Sequence, residues 1–97
     1  MNQQVAPTLV EKEDVANFHF PAEEVLSDKQ AIANRKINIE RATNLGNTEK
    51  YKARIIFEDD KGLKVVETTI WASGVENIVL KKGVVIPVHR IHDIKLL

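Results

Sequence analysis

The chain has 97 residues, no cysteine, and 14 acidic side chains balanced by 14 basic ones. That length bounds it to one domain with a modest core. The missing thiol excludes disulfides, thiolate metal centres and cysteine catalysis.

No apolar run approaches the roughly 20 residues of a bilayer crossing, so no membrane partner is expected. Met1-Asn2-Gln3-Gln4 lacks the basic and apolar parts of a signal peptide, which leaves a cytoplasmic, bacterial-type protein as the default expectation. The zero net charge conceals a polarity along the chain. Residues 1–28 carry Lys12 alone against Glu11, Glu13, Asp14, Glu23, Glu24 and Asp28, leaving 13 bases against 8 acids in the remainder. Such an acidic arm either serves solubility or folds over a basic binding face.

Residues 1–17 are polar, with Val5, Leu9, Val10 and Val15 scattered without a period, and read as a flexible acidic arm. Phe18-His19-Phe20 is too aromatic for a free tail and reads as its anchor. A single small β-rich domain then fills residues 18–97. Pro21 suits the first position of a helix, and Glu23 and Glu24 suit its positive end. With Val25, Leu26, Ile32 and Ala33 as an apolar stripe, the expectation is a helix over about residues 21–31. From Lys36 the period becomes two, with Ile37 and Ile39 alternating against polar neighbours. That pattern predicts a strand ending in a turn at Asn44-Leu45-Gly46-Asn47.

Gly46, Gly62, Gly74 and Gly83 each close an extended run, which predicts a β-meander with short turns. Asp59-Asp60-Lys61-Gly62 fits a three-residue hairpin loop that sets Asp59 opposite Leu63. Phe57 then meets Val65, Ile55 meets Glu67, and Tyr51 meets Trp71 on the core face. Ile56, Val66 and Ile70 cluster on the outer face, with the helix or a second copy of the chain as cover. A second hairpin through Lys81-Lys82-Gly83 sets Leu80 opposite Val84 and Ile78 opposite Ile86. Pro87 marks an edge or strand end. His89-Arg90-Ile91 follows as one tight turn, and Asp93-Ile94-Lys95-Leu96 as a last strand.

The run Ile86-Pro87-Val88-His89-Arg90-Ile91-His92-Asp93-Ile94 places a single helical turn between the last two strands. In this the chain resembles SH3-like small barrels over about residues 36–97. The resemblance implies a small antiparallel meander forming a partly open barrel or bent sheet; with the helix read from its own pattern, the expectation is a mainly β, α+β fold with one N-terminal helix, and the long N-terminal segment departs from such barrels. The resemblance carries no catalytic signature, and the chain lacks the acidic, aromatic-rich loop with which SH3 domains bind proline motifs.

No constellation points to a cofactor or a metal. His89, His92 and Asp93 cluster in sequence, but zinc sites need three or four converging ligands, and a polar turn accounts for them. Ser27 and Ser73 lack a nucleophile elbow, and the glycines are too isolated for a phosphate loop. Glu67 falls on the apolar face of the expected register, as a buried acid or at a rim or bulge. The leading functional expectation is a non-enzymatic module making protein–protein contacts, self-association included, through Ile56, Val66 and Ile70. The alternative is single-stranded nucleic-acid binding by Lys50, Lys52, Arg54, Lys81, Lys82 and Arg90. A small enzyme or ligand-binding protein using Glu67 or His89 stands third.

Overall fold

A computed structural model describes residues 6–97. Strand β1 spans Thr8–Leu9 and is followed by a 3-10 segment, Lys12–Asn17. Helix α1 spans Lys29–Glu49. Strands β2 (Ala53–Asp59), β3 (Gly62–Thr68), β4 (Ile70–Ser73) and β5 (Asn77–Leu80) follow. A 3-10 turn over Lys81–Gly83 leads to β6 (Val85–Pro87), and another over Val88–Arg90 leads to β7 (Ile91–Leu96).

The fold is α+β. One sheet runs β1-β3-β2-β7 and the other β4-β5-β6, antiparallel throughout except for the parallel β1–β3 pair. The chain passes from one sheet to the other at Thr69, between β3 and β4. Helix α1 packs against β4 and β7, so it fills the seam between an edge strand of each sheet. The Lys12–Asn17 segment packs on β3 and β6 at the other seam. Between them lies a core of Ile55, Phe57, Val66, Ile70, Ile78, Leu80, Ile86 and Ile91, closed by Ile39 and Ala42 of the helix and by Val15.

The helix lies later than its pattern suggests, and the reason is where backbone groups find partners. Within residues 21–25 several of those groups are taken by tertiary contacts. His89 Nε2 meets the Pro21 carbonyl, Arg90 donates to the Glu23 carbonyl, and the Val25 N–H donates to the His89 carbonyl. The helix starts instead at Asp28, whose carboxylate accepts from the Ala31 N–H at 3.2 Å. It then runs through the stretch expected to be a strand. Ile37 and Ile39 lie about 200° apart on a helix, so Ile39 is buried while Ile37 is 53% exposed. Arg35, Ile39, Ala42, Thr43 and Gly46 recur at helical spacing and are buried. Gly46 therefore closes no turn. The helix stops at Lys50, in the left-handed conformation with φ 59°, whose N–H bonds the Leu45 carbonyl.

Residues 8–17 are structured rather than a loose arm: β1 pairs with β3, and Val15 is 2% exposed in the core. Residues 1–5 of the expected arm lie outside the described residues. Phe18 and Phe20 do anchor this segment, each with its ring about 6 Å from that of Phe57 (6.2 and 6.0 Å).

The first hairpin is one residue shorter than expected. Asp59 pairs with Gly62, not Leu63, because Asp59 Oδ1 accepts from the N–H groups of both Lys61 and Gly62 and from Lys64 Nζ. Gly62, at φ 142°, tolerates the tight closure. The slip turns β3 over. Val66 and Thr68 face the core, and Glu67 stands outside opposite Arg54, with its carboxylate 2.7 Å from the guanidinium. The expected outer patch dissolves accordingly: Val66 and Ile70 are buried, and Ile56 sits half-buried on the opposite face. The second hairpin has the expected register, with Ile78 opposite Ile86 and Gly83 at φ 81°. Pro87 ends edge strand β6, and Val88–Arg90 is the single turn before β7.

Candidate functional site

Strand β4 carries Trp71 at a β-bulge. Ile70 pairs with Leu80 and Ala72 with Val79, so Trp71 is the extra residue and has no partner in the ladder. Bulges re-aim a side chain, and here the indole is 48% exposed. It lines a cleft of about 400 Å³ with Gly46, Asn47, Lys50, Lys52, Thr69 and Lys81.

Each lysine reaches this cleft for a separate local reason. Lys50 caps the helix C-terminus, where a cation complements the exposed carbonyls. Lys52 immediately precedes β2, and its carbonyl accepts from the Leu97 N–H. Lys81 begins the hairpin turn, and its N–H is held by the Thr69 carbonyl at 2.9 Å. None of the three makes an ion pair among the described residues, and no acidic side chain lines the cleft. The arrangement is an open aromatic face among uncompensated ammonium groups, with the Asn47 amide and the Thr69 hydroxyl as neutral hydrogen-bonding groups.

The other expected basic residues go elsewhere. Arg54 is paired with Glu67 on the outer sheet face. Lys82 lies in the Lys81–Gly83 turn outside the cleft lining, with its charge felt at the N-terminal segment. There a backbone hydrogen bond, Lys12 and Lys82 together hold the Glu13 carboxyl below its ordinary value. Arg90 is 6% exposed and donates to the carbonyls of Glu58, Glu23 and Asp59, a structural clamp rather than a surface contact. Tyr51 does not pair with Trp71: it precedes β2 and is 48% exposed.

The chemistry-bearing side chains outside the cleft are committed to the fold. Arg35 forks onto Glu24 at 2.7 and 2.8 Å and donates to the Ile91 carbonyl. That hydrogen-bonded pairing brings the Glu24 carboxyl down to about 2. At Asp59 burial opposes ionisation. Lys64 and the N–H groups of Lys61 and Gly62 outweigh it and keep the carboxyl below its usual range. His89 bonds Pro21, and His92 Nε2 lies 2.8 Å from Glu58. Among the described residues no three His, Asp or Glu side chains converge as metal ligands. A second hollow, of about 420 Å³ between α1 and Ser73-Gly74-Val75, is lined by Ile32, Ile39 and Val88 around the already neutralised Arg35.

The signal for Trp71 was present in the chain. Val66, Thr68 and Ile70 form one alternating series into the core, which puts Glu67, Thr69 and Trp71 on the other side. The convergence of Lys50 with Lys81 had no sequence signal. It depends on the helix end meeting the β5–β6 turn.

No family model, curated protein or solved structure matches the chain. No helix among the described residues is long and apolar enough to cross a membrane.

Proposed function

We propose that the protein binds single-stranded nucleic acid, with Trp71 as the stacking platform and Lys50, Lys52 and Lys81 as phosphate contacts. One observation carries this reading: the chain's single tryptophan stands half-open in a cleft with three uncompensated lysines and no acid. Stacking on an aromatic face within a positive groove is the general mode for single strands, because every base has a π-face and every nucleotide a phosphate. A cleft of about 400 Å³ suits one base with its flanking phosphates rather than a duplex. The resemblance to SH3-like barrels is part of the same proposal, supported by the single turn Val88–Arg90 between the last two strands.

Protein association through Ile56, Val66 and Ile70 finds less support, since two of the three are buried. A catalytic role for Glu67 also loses its basis, because Arg54 holds it on the outer face.

The test is a salt titration of binding to single-stranded RNA and DNA, read by tryptophan fluorescence. Stacked bases quench the one indole. Three phosphate contacts give a log–log salt slope of roughly −2. Binding without quenching, or no binding at low salt, overturns the reading.

A further inference from the structure

Arg35 is 5% exposed, yet its hydrogen bonding is incomplete. A guanidinium carries five N–H groups. Nη1 uses both of its own, on Glu24 and on the Ile91 carbonyl, and Nη2 uses one, on Glu24. Nε is shut off from solvent and has no partner among the described residues. Nε–H and the remaining Nη2–H run parallel along one edge of the guanidinium plane, a fork shaped for an oxygen acceptor. Leaving a buried donor unmet is destabilising, so an acceptor brought to this edge is favoured.

The space beside Arg35 suits an apolar ligand. Arg35 lines the hollow of about 420 Å³ between α1 and the β4–β5 loop, whose walls include Ile32, Ile39, Val75 and Val88. It also lines a neighbouring hollow of about 440 Å³, and Val75 and Val88 are common to both. Mostly apolar walls with a few fixed polar groups are the make-up of small-molecule sites. The part of the wall able to yield is Val75. It is 95% exposed, so its side chain packs against little. Its neighbours are braced: Gly74 N–H donates to the Asn77 carbonyl, and the Glu76 carbonyl accepts from Val88 N–H. A ligand in the hollow covers Val75 and, by displacing it, reaches the open edge of Arg35.

Charge decides the headgroup. Glu24 neutralises Arg35, and Lys36 on the hollow's wall is matched by Glu40 one helical turn on. A carboxylate would bring a second anion onto a guanidinium already balanced, and an ammonium would set donors against donors. An uncharged carbonyl oxygen accepts both N–H groups and adds no charge.

We propose that this hollow binds a small uncharged molecule with an apolar chain and a carbonyl group, whose oxygen accepts from Arg35 Nε and Nη2. The site shares no residue with the Trp71 cleft, so the inference is independent of the nucleic-acid reading.

The experiment is a proton–nitrogen correlation titration of the full chain with hexanamide, hexanoate and hexylammonium, which offer one apolar chain with different headgroups. Hexanamide should shift the amides of Ile32, Ile39 and Val75 together with Arg35 Nε–H, and bind about tenfold more tightly than either ion. Arg35→Lys keeps a cation for Glu24 but lacks the forked edge, and weakens hexanamide binding about tenfold. Ile32→Trp, at a half-buried position on the wall, fills the space and abolishes the shifts, and it serves if Arg35→Lys does not fold. Hexanamide that leaves the hollow's amides unmoved overturns the proposal, as does binding that leaves Arg35 Nε–H unmoved. So does an ion bound as tightly as the amide, or a folded Ile32→Trp chain that still binds.

Discussion

A Cβ at Gly46 would lie 2.6 Å from the carbonyl oxygen of Ile70 and 3.1 Å from Thr69 Cγ2. Helix α1 thus reaches β4 with its backbone almost in contact, and Gly46 and Thr69 also line the Trp71 cleft. Alanine is intrinsically better than glycine inside a helix by about 1 kcal/mol, but here the methyl group meets backbone that must move. Gly46→Ala is expected to destabilise by about 1–3 kcal/mol and to weaken single-strand binding by displacing Trp71. Thermal unfolding and anisotropy on the same variant check both effects. A rise in melting temperature would mean the helix does not sit this close.

Trp71→Ala separates the cleft from the fold. The indole is half exposed, so truncation should cost about 1–2 kcal/mol and leave the fold intact. The affinity for single strands should fall by about 1–3 kcal/mol, the usual worth of one stacked base. Lys81→Ala should leave stacking in place and reduce the salt slope from about −2 to about −1.4. Anisotropy of a labelled single strand at several salt concentrations reads both variants, and tryptophan fluorescence reads Lys81→Ala as well.

Asp59 locks the first hairpin through three hydrogen bonds to one oxygen, and Lys64 depends on it. Asp59 is 3% exposed and Lys64 Nζ lies above the Phe18 ring at 5.6 Å, so removing the carboxylate strands a partly buried ammonium. Asp59→Ala is expected to cost about 3 kcal/mol, measurable by urea denaturation. Lys64→Met in the same background should recover part of that loss.

Acid should loosen the segment ahead of the helix. The folded Glu24 carboxyl sits at about 2 against an ordinary 4.5, so its pairing with Arg35 stabilises fully above that ordinary value. The contribution is lost as pH falls from about 4.5 toward 2. Because Glu24 is largely exposed and solvent screens the pair, its worth is on the order of 1 kcal/mol. Glu24→Gln should lower stability at neutral pH and flatten the profile across that window; an unchanged profile would rule out this pair as the cause.

Val15 ties the N-terminal segment to the core. Val15→Ala should cost about 1–2 kcal/mol through the cavity it leaves, as read by thermal unfolding. A loosely attached arm would show no change.

Local chemistry was enough to read the second hairpin. Gly83 needs a positive φ, Pro87 cannot continue a ladder, and both constraints act within a few residues. The aromatic anchor at Phe18 and Phe20 was legible for the same reason, since large apolar side chains near a polar terminus must find a core. The α+β class followed from such signals. Three other features depended on residues far apart in the chain. Helix α1 starts where it does because His89, Arg90 and Arg35 occupy the groups of residues 21–25. Strand β3 turns Val66 inward because Asp59 closes its loop one residue early. The cleft exists because Lys50, Lys81 and Trp71, from a helix end, a hairpin turn and a bulge, meet where Gly46 lets two backbones touch. Periodicity records which side of an element is apolar; only the packed chain decides which backbone groups are already taken and which charged ends are left facing one another.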